Sequence, residues 1–185
     1  MRKLTLMTTL LSSLTLSPQV FSANQLYIET GLGTSQYSSK LNGSVFNHDA
    51  SNSPSAKVLI GSRLTRSPHA WFELMYNYNA QTTFSDSTVE LTSQMISTGV
   101  KLTSDQTAPM SFFVRSGIGK VFLSANSGSS INKNQYYFGG GISYRFENKR
   151  ALNFEFQQFN VPDVDAGNYQ VQSSAVFLTI KQDID

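Results

Sequence analysis

The chain contains no cysteine, so neither a disulfide framework nor a thiolate metal site is available to it. It is also poor in charge. Lys, Arg, Asp and Glu make up 14% of the 185 residues, well under the roughly 25% usual in soluble domains, and Ser, Thr, Asn and Gln fill the gap. The net charge of +2 is small and the basic residues are spread along the chain, which gives nucleic acid no basic patch to bind. No stretch reaches the roughly 18 to 20 uninterrupted apolar residues of a membrane helix. Any membrane span must therefore be built from strands.

The first 22 residues read as a leader. Arg2 and Lys3 precede an uncharged run from Leu4 to Leu16, Pro18 breaks it, and Val20-Phe21-Ser22 offers a signal-peptidase site. The expected division is a signal peptide over 1–22 and one domain over 23–185, beginning at Ala23.

What remains alternates with a period of two. Phe112-Phe113-Val114-Arg115-Ser116-Gly117-Ile118-Gly119 puts Phe112, Val114, Ser116 and Ile118 on one face and Phe113, Arg115, Gly117 and Gly119 on the other. Leu26-Tyr27-Ile28-Glu29-Thr30-Gly31-Leu32-Gly33 repeats the pattern at an offset of 86, with Glu29 in the place of Arg115. Ile60–Leu64 is echoed by Ile142–Phe146 and Phe72–Leu74 by Phe154–Phe156, both at an offset of 82, and Gly99–Lys101 by Thr179–Lys181 at 80. Four strands followed by four again predict eight, over about 25–36, 56–65, 70–79, 88–102, 112–119, 134–146, 151–158 and 169–182. The connections between them alternate long and short. In an antiparallel meander every long polar segment then lies at one end and every tight turn at the other.

One face is apolar, and the other carries glycines and about one clear charge per strand. A soluble barrel of the lipocalin kind would turn the apolar face inward around a ligand. Its exterior would then need several charges per strand, whereas an outward Lys or Arg at mid-membrane costs roughly 2 to 4 kcal/mol and none interrupts the apolar faces of strands 1 to 3 and 5 to 7. Aromatic residues fall into two groups, Tyr76, Tyr78, Tyr136, Phe138 and Phe156 toward the long connections and Phe72, Phe112, Tyr144 and Phe146 toward the turns, as in the girdles of a transmembrane barrel. The expected fold is thus all-β, an eight-stranded antiparallel up-and-down transmembrane β-barrel.

With its leader, Gly-x-Gly at Gly31/Gly33 and Gly117/Gly119, the Gly139–Phe146 strand and the turn pattern, the chain resembles the small outer-membrane barrel family. That family includes the transmembrane domain of outer membrane protein A and the Ail/Lom/OmpX-like proteins. The resemblance implies an outer-membrane location in a Gram-negative envelope and a lumen plugged by ion pairs. Its implied partners are outer-membrane lipids including lipopolysaccharide, the barrel assembly machinery, and a host or neighbouring cell surface met by the long loops of a monomer. Such chains usually end on an aromatic residue; this one ends Gln182-Asp183-Ile184-Asp185.

The inward charges, in strand order, are Glu29, Arg63, Glu73, Lys101, Arg115, Arg145, Glu155 and Lys181. Every acid in that order has a base on both sides, and closing eight strands sets Arg115 across from Glu29, so an ion-pair network in the lumen is expected. Chemistry has few candidates. His48 with Asp49, Ser51 and Ser53 falls in a polar loop and His69 in a tight turn, Gly139-Gly140-Gly141 lacks the Lys-Ser/Thr of a phosphate loop, and no cofactor or metal is implied. The expected role is non-enzymatic, structural or adhesive. The alternatives are a narrow ion or solute channel, a lipid-modifying barrel enzyme, or a soluble lipocalin-like binder.

Overall fold

The computed structural model describes residues 21–41, 52–64, 67–83, 90–104, 108–125, 130–147, 149–161 and 169–184. Eight strands run in order: β1 (Phe21–Leu41), β2 (Ser53–Leu64), β3 (Ala70–Thr83), β4 (Glu90–Thr103), β5 (Met110–Ala125), β6 (Ser130–Glu147), β7 (Arg150–Val161) and β8 (Tyr169–Ile184). Each pairs antiparallel with its sequence neighbours, and β1 pairs with β8 to close the barrel. That closing ladder extends from Leu26↔Ile184 to Leu41↔Tyr169. A closed ladder pairs the backbone polar groups between strands, as hydrocarbon demands.

The period-two pattern decides which way each side chain points. Along β5, Phe113 and Arg115 are buried while Phe112, Val114 and Ile118 are exposed. The exposed set is a continuous apolar wall: Leu32 is 73% exposed, Ile118 68% and Phe112 64%, values a water-soluble domain would hide. Both aromatic groups stand on this wall, with Tyr76, Tyr78, Tyr136, Phe138 and Phe156 exposed toward the long connections and Phe112, Tyr144 and Phe146 toward the turns; Phe72 is half-buried. The apolar face is outside and the lipocalin-like inversion does not occur.

Strands are longer than the apolar pattern at the end of the long connections. The stretch 123–133, expected as loop, is strand up to Ala125 and again from Ser130, with Leu123↔Ile131 and Ser124↔Ser130 paired. Likewise β1 continues to Leu41, β2 begins at Ser53, β3 runs to Thr83 and β7 to Val161. Pairing is supplied by the neighbour's backbone, so polar residues carry the ladder past the membrane wall. Through Thr92, Ser93 and Gln94, where alternation is hard to read, the structure keeps it: Ser93 is buried and Gln94 exposed. At the other end β1 begins at Phe21, beside the expected leader boundary; residues 1–20 lie outside the described residues.

Interior glycines make room for rings. A Cβ on Gly61 would collide with the Tyr27 ring, and one on Gly117 would stand 2.7 Å from Tyr137 Cε1. Gly99 faces the Tyr137 hydroxyl in the same way. The Gly-rich inward face is thus the seat of two buried tyrosines, which an eight-stranded lumen has room to hold only where a wall gives way.

Candidate functional site: the charged lumen

At mid-lumen six charges meet. Glu29, Glu73 and Glu155 come from β1, β3 and β7, and Arg115 reaches in from β5; these are alternate strands, whose inward residues share a layer in a tilted barrel. Lys57 on β2 and Lys101 on β4 complete the set. The Arg115 guanidinium lies 3.2 Å from Glu29 Oε2, 3.6 Å from Glu73 Oε2 and 3.1 Å from Glu155 Oε1. Lys57 Nζ bridges Glu155 at 2.5 Å and Glu29 at 3.4 Å, and Lys101 Nζ stands 3.6 Å from Glu29. All but Lys101, which is 3% exposed, are at most 1% exposed.

Three carboxylates against three cations leave the layer formally neutral, the condition under which buried charge is tolerable. Neutral groups meet several of the remaining lone pairs. Thr179 donates to Glu29 at 2.8 Å, Gln157 to Glu155 at 2.6 Å, and the Tyr27 hydroxyl to Glu73. Aromatic faces cover the cations: Lys101 Nζ is 4.3 Å from the Phe113 ring centre, Lys57 Nζ 4.8 Å from Phe177, and the Arg115 guanidinium 5.0 Å from Phe113.

Of the eight residues expected in the network, Glu29, Glu73, Lys101, Arg115 and Glu155 are brought together. Arg63, Arg145 and Lys181 lie nearer the tight turns. Arg63 donates to Gln25, and Lys181 pairs with Asp183 at 2.8 Å and lies over the Tyr27 and Trp71 rings. Arg145 borders a small cavity of about 20 Å³ with Lys101, Lys181 and Asp183. The reason is axial. Gly61 is the residue opposite Glu73, so Arg63 falls one inward step below that acid, while Lys57, three steps above Arg63, reaches the layer. Lys57 was missed by taking a single charge per strand, although it shares the parity of Arg63.

On the other side of the layer neutral amides and hydroxyls line the lumen together with buried Met95, Val121, Leu123 and Phe159. Asn77 donates to Gln157 at 3.4 Å, and beyond it Asn79 donates to Tyr37 at 3.0 Å and to Ser93 at 2.8 Å, with Tyr37 and Ser93 joined by their hydroxyls. A cavity of about 20 Å³, room for one water, lies among these groups and Gln135, Phe159 and Ser173. His69 is exposed in its turn, its Nδ1 3.2 Å from the Ser104 carbonyl. His48 and Asp49, with Ser51, lie outside the described residues. Among the described residues no three His, Cys, Asp or Glu side chains are grouped as a metal site would need. The buried carboxylates are all engaged by cations, an arrangement suited to holding strands together and to excluding water.

A closed eight-stranded meander with an apolar wall, two aromatic girdles and a charged interior defines a transmembrane β-barrel. The chain belongs to the outer membrane protein beta-barrel domain family, which it matches over residues 6–177. No curated protein matches it in sequence. Among solved structures it is similar to Neisserial surface protein A, with a TM-score of 0.69 at 13% identity, covering 85% of this chain and 96% of that one. OprG of Pseudomonas aeruginosa gives 0.56 at 8% identity, covering 90% and 98%. Ail, the attachment invasion locus protein of Yersinia pestis, solved in complex with the heparin analogue sucrose octasulfate, gives 0.54 at 15% identity, covering 86% and 98%. Similarity at these identities establishes the shared fold.

Proposed function

We propose that the chain is a non-enzymatic outer-membrane barrel whose lumen is plugged at mid-depth and whose work, adhesive or structural, is done at its outer end. The observation that carries this reading is the neutral layer of Glu29, Lys57, Glu73, Lys101, Arg115 and Glu155, whose cations engage each buried carboxylate and which supports a closed interior. With the lumen closed, contact with anything outside the cell falls to the polar strand ends and the segments that join them, where exposed connections commonly carry recognition. The heparin analogue held by Ail offers one chemical class to try first, a sulfated sugar. In this reading the leader over 1–22 is removed, the assembly machinery inserts the barrel, and the monomer sits among lipopolysaccharide.

The test replaces segments 42–51, 84–89, 126–129 and 162–168 by short Gly-Ser turns and compares adhesion of displaying cells to sulfated-glycan and host-cell surfaces. Loss of adhesion in variants that keep boiling-dependent gel mobility supports the reading. Undiminished adhesion, or none in the intact chain together with steady ion conductance, would replace it with the channel reading.

A further inference from the structure

The lipid-facing wall is dented across β3 to β6. Direct cross-strand neighbours there are Leu74, Thr98, Ile118 and Tyr136, so one small side chain, Thr98, sits in a row of large ones. The result is a groove of about 550 Å³ walled by Leu74, Ile96, Thr98, Ile118 and Tyr136, with Asn134 at its rim. Its volume falls within the roughly 300 to 1,000 Å³ of small-ligand sites.

The next row is Tyr76, Ile96, Lys120 and Asn134. Lys120 points outward and is exposed. Its ammonium lies 5.7 Å from the Phe122 ring centre, toward the outer end of β5. It stands five residues short of Ala125, the end of β5; Tyr78 stands five short of Thr83, the end of β3, and Tyr136 six past Ser130, the start of β6. Lys120 is therefore at girdle height, where an outward cation costs about 0 to 1 kcal/mol instead of the 2 to 4 kcal/mol of the midplane. Exposed Gln94, Asn132 and Asn134 surround it with amide donors.

From a cation and amides at headgroup height over an apolar groove, we infer a binding site for a phosphorylated acyl lipid of the outer leaflet. The phosphate rests on Lys120 and the amides, and an acyl chain fills the groove. The occupant is an amphiphile because neither half of the site suffices alone: free phosphate leaves the groove empty, and a zwitterionic lipid gains little from Lys120.

The chain, Lys120→Gln, Lys120→Arg and Thr98→Phe are refolded into phosphatidylcholine nanodiscs containing a minor fraction of lipid A. The ratio of lipid A to phosphatidylcholine retained after mild detergent extraction is read by mass spectrometry, with boiling-dependent mobility as the folding control. The unaltered chain is expected to retain lipid A above its share of the disc. Lys120→Gln should lower that enrichment about fivefold, Lys120→Arg should keep it, and Thr98→Phe should reduce retention by filling the groove. Excess inorganic phosphate should leave the ratio unchanged. Retention equal to the disc mixture, enrichment undiminished in both Lys120→Gln and Thr98→Phe, or displacement of the lipid by free phosphate would each overturn the site.

Discussion

Two sets of charges share the inward face of this barrel and meet different fates. Glu29, Lys57, Glu73, Lys101, Arg115 and Glu155 are locked together at mid-lumen, whereas Arg63, Arg145 and Lys181 stand an inward step or two nearer the turns and serve local partners or none of those acids. Parity is the same in both sets, and Lys and Arg occur in each. What differs is depth: away from the mouth there is no water to solvate a charge, so it must be paired, while near the mouth pairing is optional. Stability should therefore be concentrated in the first set.

Variants that break this contrast follow in order of effect, each read as the midpoint and slope of urea unfolding in detergent micelles. Arg115→Ala strips three acids of a shared partner and should cost the most, about 3 to 5 kcal/mol or failure to fold. Glu155→Ala leaves Lys57 with Glu29 alone and orphans one side of the guanidinium; a loss at the lower end of the same range, about 3 kcal/mol, is expected. Gly117→Val sharpens the steric side of the comparison. By pushing into the Thr98 carbonyl and the Tyr137 ring it should cost roughly 1 to 3 kcal/mol, the usual penalty of overpacking, without touching a charge. Arg63→Ala should change stability by less than about 1 kcal/mol. Equal losses for Arg63→Ala and Arg115→Ala would mean that depth does not sort these charges.

Much of this architecture is legible in the chain because a barrel writes itself with a period of two. Phe112–Gly119 shows both faces, and a one-residue shift would turn Arg115 to lipid. Echoes such as Ile60–Leu64 with Ile142–Phe146 give the strand count. Axial position is not legible in the same way, since the tilt that sets neighbouring strands past one another appears in no single strand. That is why Arg63 could be taken for strand 2 in place of Lys57. Nor do the outer strand ends announce themselves: Ser130 to Lys133 reads as loop because its pairing is provided by Val121 to Ser124 across the hairpin. Lys120, one residue beyond the apolar alternation of strand 5, is visible in the sequence, but its height against Tyr78 and Tyr136 emerges only with the register.

The plug itself is most directly tested by conductance of the purified chain in a planar lipid bilayer. The intact protein should insert without current steps, and Glu29→Ala combined with Arg115→Ala, which removes the salt bridge linking opposite strands while conserving net charge, should open a small cation and anion leak. Regular current steps from the intact chain, equal to those of the double variant, would contradict a lumen closed by its charged layer.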